Sequence, residues 1–380
     1  MKLLHLLRGL KKSLSEYQPL VEVIISQDAL LHNLGQYQRA YPKLSFAPVL
    51  KSNAYGHGLV EVAQILDREN LPFLIVDSLY EAMALRNNNI KTNILIIGYF
   101  SAHNLNSAKL SNTSYVITNL AQLQEIDQSL GVSKQFHLKI DTGMHRQGIL
   151  SSQIPEALQI IQQNKLIKLE GLCSHFADAD GEDRKFSQSQ IKEWQQAVDL
   201  FRTKFPEIKY FHLANSAGTF YSDPNYCNMA RLGIGLYGVN DSPFVKLNLQ
   251  PAMELQSIIS SVKTIPAGDY IGYSITYQAA KPMTIATVPV GYFEGVDRRL
   301  SNVGSFTVNG ADCPIVGRVS MNITTIDTSN VPNVKPGDKV TVISNNNGAK
   351  NSAENIGRLL NTTCREIMVH IPQHLRRVVI

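Results

Sequence analysis

No hydrophobic run in this chain approaches the ~20 residues needed to span a bilayer, and no repeat or low-complexity linker interrupts it. The first absence argues against stable membrane insertion through a helix. The four cysteines, Cys173, Cys227, Cys313 and Cys364, lie far apart and form no Cys-x-x-Cys pair. That spacing argues against a zinc ribbon or a disulfide framework. No metal site is expected, and the thiols read as buried ones in a reducing cytoplasm. A strong excess of one charge is also lacking: 36 Lys and Arg against 31 Asp and Glu leave a net +5, with the signs interleaved. Such a balance mildly favours small anionic ligands and does not support nucleic-acid binding.

What is present describes an ordinary soluble globular protein. The 380 residues exceed the usual size of one hydrophobic core, so two domains are expected; 44% are hydrophobic and 18% charged. The opening MKLLHLLRGLKKSLSEYQPL places Leu3, Leu6, Leu7, Leu10 and Leu14 at helical spacing. His5 and Arg8 break any secretory apolar core. A short helix packed on its own protein is expected within an N-terminal extension, 1–19, in preference to a membrane-surface helix.

VEVII at 21–25 is a short β-rich run. The helix-like SQDALLHNLGQYQRAY follows, with Ser26 as N-cap and Leu30, Leu31 and Leu34 on one face. Eight apolar strand-like runs come next, near 45–50, 72–76, 92–97, 114–117, 136–140, 168–173, 209–213 and 229–233. Helix-period segments such as GLVEVAQILDRE and SQSQIKEWQQAVDLFRTKF lie between most of them. Strands alternating with helices argue a parallel α/β sheet, and a count of eight fits a TIM-like (β/α)8 barrel, assigned to 20–248. From about residue 248 the texture changes to short β runs, among them MTIATVPV, CPIVG and KVTVIS, separated by PAGD, NG and PGD turns. Only SAENIGRLLN reads as helix there. A smaller, mostly β C-terminal domain is expected over 249–380.

In such a barrel, catalytic groups sit where strands end and loops begin. The first barrel strand runs directly into Lys51-Ser-Asn-Ala-Tyr55-Gly-His57-Gly58. Burial and nearby cations lower lysine pKa values from a free ~10.4, and a neutral amine can form a Schiff base with an aldehyde cofactor. Gly56 and Gly58 permit a tight turn, and Tyr55 can offer a hydroxyl to a phosphate. Alone, a lysine at a strand end is more often a surface cation. His57, Asp141 and Asp180 read as loop-holding or capping residues, and Cys313 and Cys364 as packing residues.

The context of Lys51 changes that reading, because KSNAYGHG is close to a signature of the alanine racemases. Further motifs occur in the right order: KIDTGMHRQG at 139–148, SHFADAD at 174–180, LANSA at 213–217, RLGIGLYG at 231–238, GYSITY at 272–277, VGYFEGVDRRLSN at 290–302 and GRVSMN at 317–322. On their joint occurrence the chain resembles the alanine racemase family from about residue 20 to about 372.

The resemblance implies racemisation of L- and D-alanine by two bases with pyridoxal 5'-phosphate as cofactor, supplying D-alanine for peptidoglycan. By resemblance Lys51 holds the cofactor and serves one face of the substrate, and Tyr273 serves the other. Arg231 resembles the arginine facing the pyridine nitrogen. Ser216, Tyr55 and the backbone of Gly233 and Ile234 resemble the phosphate cradle. Arg146 and Met321 resemble the groups that hold the substrate carboxylate, and Lys139 matches a lysine carbamylated in some relatives. His175 is placed with the cofactor-binding residues, and it and Arg231 are the candidates for stabilising a Tyr273 phenolate. A head-to-tail homodimer with shared active sites is implied, with a small amino acid as the other partner.

Two departures stand out. Many members have Cys-Met-Asp where this chain has Ser320-Met321-Asn322. Gln373 stands at about the place of a tyrosine that touches the phosphate, so that contact is not carried over. Three other readings remain on the sequence alone: a serine or broad-specificity racemase, a non-catalytic pyridoxal-phosphate-binding protein, and a decarboxylase of basic amino acids. The last would offer an acid to the pyridine nitrogen where this chain has Arg231.

Overall fold

The computed structural model describes residues 18–380; the leucine-bearing part of the expected N-terminal helix lies outside them. Two compact units divide the chain. One comprises Ser26–Ala252 with Val379–Ile380, the other Met253–Val378 with the described residues up to Ile25, including β1 (Glu22–Ile25).

The first unit opens on helix Gln27–Ala40. Ser26 Oγ accepts the Ala29 N–H at 3.1 Å, so the N-cap read from the sequence is formed. Leu31, expected on the inner face, is only half-buried. Asn33 turns inward beside Leu30, Leu34 and Tyr37, because its amide pairs with the backbone of Leu236 and Gln250.

The strands that follow are β2 (Ser45–Pro48), β3 (Leu74–Val76), β4 (Ile94–Ile96), β5 (Thr113–Ile117), β6 (Lys134–Lys139), β7 (Ile167–Cys173), β8 (Tyr210–His212) and β9 (Met229–Leu232). β3 to β8 pair in parallel in chain order, and β2 pairs in parallel with β9. Leu50 N–H to Ile75 O at 2.7 Å and Arg231 N–H to Ala214 O at 3.0 Å join the two ladders, so hydrogen bonds run round the whole barrel. Each of the eight runs read from the sequence supplies one strand.

Ala47, Val49, Ile75, Leu95, Val116, Cys173 and Met229 pack into one buried cluster. Helices connect the strands. The longest, Lys185–Lys204, buries Trp194, Ala197, Val198 and Phe201, the i, i+3, i+4, i+7 stripe of an amphipathic helix. Helix Ala102–Ser107 was not foreseen. Six residues are too few to show a period, and it rests on its Ser101 cap, whose Oγ accepts the Asn104 N–H at 3.2 Å.

The second unit adds β10 (Met253–Ile258), β11 (Ser261–Ile265), β12 (Tyr270–Ile271), β13 (Tyr277–Gln278), β14 (Met283–Val288), β15 (Ser305–Val308), β16 (Ala311–Pro314), β17 (Thr324–Asp327), β18 (Lys339–Ile343) and β19 (Arg376–Val379). They form a six-stranded sheet in the order β16-β15-β18-β10-β1-β19, a three-stranded sheet β11-β14-β17 and the pair β12-β13. β1 lies antiparallel to β10, with Ile25 opposite Met253. Besides helix Ala353–Leu359, a second short helix, Cys364–Val369, follows Thr363, whose Oγ1 accepts the Glu366 N–H.

Candidate active site

Lys51 follows β2 at the C-terminal end of the barrel and is half-buried. Directly after it, Ser52, Asn53, Ala54 and Tyr55 all have positive φ, between 51° and 58°. The sequence suggested a turn made by glycines, but here four consecutive non-glycine residues form a left-handed turn before Gly56 is reached. Left-handed backbone costs an L-residue roughly 1–2 kcal/mol, so the surroundings must hold it. Glu81 Oε1 accepts the Ser52 N–H at 2.7 Å, and Asn53 Oδ1 accepts the Leu59 N–H at 2.9 Å. Gly58 N–H reaches Asn53 O at 3.0 Å. Sequence reasoning missed Glu81, although Ser78-x-x-Glu81 has the spacing of a helix capping box. Ser78 Oγ does accept the Glu81 N–H, while the carboxylate braces the Lys51 turn and the Asp77 N–H.

Other strands deliver more cations to the same end. Lys139 ends β6; burial, with Arg231, Arg146 and Lys51 adding to it, pulls its pKa down to about 8. Its Nζ donates to Gln147 Oε1 at 3.3 Å. Arg146 is exposed on the loop after β6, which Asp141 caps by accepting the Gly143 and His145 N–H groups. Arg231, on β9, is buried. Its Nη1 donates to His212 O and to His212 Nδ1 at 2.9 Å. Its Nη2 donates to Ser174 O, to Leu213 O and, at 2.8 Å, to His175 Nδ1. These partners are carbonyls and imidazoles, with no carboxylate among them. Burial and the neighbouring cations hold the His175 pKa well below the usual imidazole range. The ring is therefore neutral, accepting at Nδ1 and carrying its proton on Nε2.

Ser216 follows β8, and its Oγ accepts the N–H groups of Gly233 and Gly235 at 3.0 and 3.2 Å. Ile234 lies between them and opens a short 3-10 turn. A Cβ on Gly233 would stand 2.9 Å from Tyr55 Oη and 3.9 Å from Ser216 Oγ. Two hydroxyls thus converge on space that only glycine leaves open, beside a turn whose Gly233 and Gly235 amides are held by Ser216. Tyr37 was also missed from the sequence: its hydroxyl hydrogen-bonds Ser216, and a Cβ on Gly235 would come 2.3 Å from that oxygen. His57 lies behind the turn, its Nδ1 3.1 Å from Tyr55 O and its ring 4.3 Å from that of Tyr237.

Tyr273 and Met321 lie on the second unit. Tyr273 follows Gly272, whose φ is +76°, and is 70% exposed; Met321 is 55% exposed. Together with Tyr292, Arg298, Val319 and Ser320 they line an open cleft of about 540 Å³. Gly291 lets the backbone approach closely there, since a Cβ would meet Ser320 O at 2.2 Å and Met321 O at 2.4 Å. Asn322 donates to Glu294 Oε1 at 2.7 Å, and Glu294 Oε2 accepts the Gly291 N–H at 2.8 Å. The asparagine at this departure position therefore supplies a donor that an ionised aspartate would lack.

A barrel with cations and an anion cradle at its strand ends, followed by a β unit presenting an exposed tyrosine, defines a narrow class. Comparison with known proteins places the chain within it. Residues 25–241 match the alanine racemase N-terminal domain and residues 252–379 the alanine racemase C-terminal domain. The alanine racemase of Desulfosudis oleivorans is 33% identical, over 93% of this chain and 95% of that protein. That of Methanococcus maripaludis is 34% identical, over 93% and 97% respectively. Among solved structures, an alanine racemase of Clostridium difficile superposes with a TM-score of 0.88 at 30% identity, covering 96% of this chain and 97% of that one. The chain belongs to the alanine racemase family.

Members of that family depend on pyridoxal phosphate. The residues of the barrel end fit such a group. The Tyr55 and Ser216 hydroxyls, beside the space that Gly233 leaves open, offer polar groups without a carboxylate to a phosphate. Lys51 offers a primary amine at the same end.

Proposed function

We propose that this chain interconverts L- and D-alanine by a two-base route with pyridoxal phosphate, Lys51 acting on one face of the substrate and Tyr273 on the other. The observation that carries this reading is the buried Arg231, whose hydrogen-bond partners are all neutral. A guanidinium at the pyridine nitrogen opposes its protonation, whereas the decarboxylase reading needs an acid there. Tyr55, Ser216 and the amides of Gly233 and Ile234 would hold the phosphate, and Lys51 the aldehyde carbon. When bound, the group supplies an electron sink that acidifies the substrate Cα–H.

The protein's own residues then move the protons. Lys51 Nζ and Tyr273 Oη take and return a proton on opposite faces, as inversion of a carbon centre requires. A tyrosine, with a free pKa of about 10, works as a base near neutrality only where donors or cations stabilise its phenolate. His175 can serve here, because its Nδ1 is occupied by Arg231 and its Nε2–H remains as a donor. Arg146 and the Met321 backbone would hold the substrate carboxylate. Two copies would share each site, Lys51 from one and Tyr273 from the other. The proposed setting is the cytoplasm, where four buried free thiols suit reducing conditions and the D-alanine would feed peptidoglycan synthesis.

The test is a chiral assay of the purified protein, loaded with pyridoxal phosphate, on L-alanine and L-serine. D-Alanine should form, with the higher kcat/KM. A higher kcat/KM on serine would move the assignment to that substrate, and no product from either would favour a non-catalytic binding protein.

A further inference from the structure

Arg231 holds a buried positive charge, and its own partners are neutral. A buried guanidinium without a counter-charge is costly, so the network beyond those partners matters. His212 Nε2 lies 2.7 Å from His137 Nδ1, and His137 Nε2 lies 3.3 Å from Glu170 Oε1. Ser114 donates its hydroxyl to the same carboxylate oxygen. The strands place these groups in file, with β5 carrying Ser114, β6 His137, β7 Glu170, β8 His212 and β9 Arg231.

β7 carries a local irregularity beside this file. Phe136 pairs with Leu169 but His137 pairs with Gly171, so Glu170 is the extra residue of a β-bulge. A bulge sets two residues opposite one and re-aims a side chain. Here it places Gly171, which has no side chain, opposite His137 and leaves Glu170 unpaired beside it, with its carboxylate still 3.3 Å from His137 Nε2. Gly171 leaves room for the ring, since a Cβ would come 2.3 Å from His137 Nδ1. Phe73, edge-on, and Tyr210, stacked, enclose the imidazole. Lys209 contributes a further positive charge near Glu170.

The proton positions follow from the ends. Arg231 only donates, so His212 Nδ1 must accept and His212 Nε2 must carry the hydrogen. His137 Nδ1 then accepts, leaving its Nε2–H for the carboxylate. Burial lowers the pKa of both imidazoles, and hydrogen bonds from His137 and Ser114 outweigh burial to keep Glu170 ionised.

We propose that Glu170 is a positioning residue for Arg231: its carboxylate orders the neutral imidazoles of His137 and His212, so that His212 Nδ1 receives the guanidinium. The function of this file rests on the reading of Arg231 as the group that faces the cofactor ring. Glu170 acts at a distance, orienting Arg231 and supplying the remote counter-charge.

Nitrogen NMR of the ¹⁵N-histidine-labelled holoenzyme, assigned with single histidine substitutions, tests it. In the unsubstituted protein both rings should be neutral and protonated at Nε2. The near-isosteric Glu170→Gln offers a weaker, uncharged acceptor, so the Nε2–H proton signals of His137 and of His212 should both move upfield. In the same variant kcat for α-proton exchange should fall about tenfold with KM changed less than about twofold, the scale of one weakened hydrogen bond to a charged group. His212 protonated at Nδ1 or at both nitrogens, or a His212 signal indifferent to Glu170→Gln, overturns the proposal. The two readings fail separately: the expected tautomers in a protein without racemase activity would refute the activity and leave the file standing.

Discussion

Lys139 and Lys51 are neighbouring amines with different assignments, and each has its own test. Burial takes Lys139 from the ordinary lysine value of 10.5 to about 8. Between those values the folded protein binds fewer protons than the unfolded chain, so stability rises with pH across that window. Below about pH 8 the full penalty of a buried ammonium is present, on the order of 3 kcal/mol. In carbon-dioxide-free buffer, Lys139→Met should therefore be more stable than the parent at pH 7, and chemical denaturation should show the gain shrinking from pH 8 to 10.5. A gain independent of pH would assign it to packing alone. For Lys51, borohydride reduction of the protein with pyridoxal phosphate, followed by peptide mapping, should find the pyridoxyl group on this residue. Its appearance on Lys139 would refute the assignment.

Elements set where these groups can act. The left-handed turn at 52–55 is locally unfavourable and is tied down by a helix thirty residues later through Glu81. On the second unit, the 3-10 turn at Tyr292–Glu294 and the loop carrying Met321 are joined by Glu294, which accepts from both Gly291 and Asn322. Asn322→Asp would replace that donor with a second carboxylate. Because the position is exposed, a destabilisation of about 1 kcal/mol near neutral pH is expected, seen as a Tm a few degrees lower. Protonation lets the pair share a hydrogen bond again, so the deficit should narrow toward pH 4. A deficit equally large at pH 4 would show that charge is not its cause.

At the scale of the whole molecule, the proposed two-base site requires Lys51 and Tyr273, which lie on different compact units. If two copies exchange these residues, mixing a Lys51→Ala chain with a Tyr273→Phe chain restores one intact site in each mixed dimer. Random exchange makes half of the dimers mixed, so roughly a quarter of the parent activity should return by two-fold counting. The two variants are unfolded, mixed and refolded, and subunit exchange is confirmed with distinguishable tags before assay. Confirmed exchange with no recovered activity means that both bases come from one chain.

Much of the fold was legible in residue order, for a physical reason. Strands buried on both faces read as continuous apolar runs, and eight such runs became β2 to β9. The change to short β runs near residue 248 likewise shows in turn chemistry that acts locally. Motif resemblance could name Lys51, Arg231 and Tyr273, but it could not show what surrounds them. Alternation along β6 does put His137 on the face of Lys139, a usable hint. The bulge at Glu170 has no such signature, because it exists only in the pairing of β6 with β7. Nor does residue order reveal that Tyr37 touches Ser216, or that four non-glycine residues turn left-handed after Lys51. Local preference opposes that turn, so it persists only where distant groups supply its hydrogen bonds. Sequence alone therefore determined the strands and their alternation with helices, through side-chain burial and local backbone preference. Tertiary structure alone decided which buried polar groups meet, because those contacts join residues far apart in the chain.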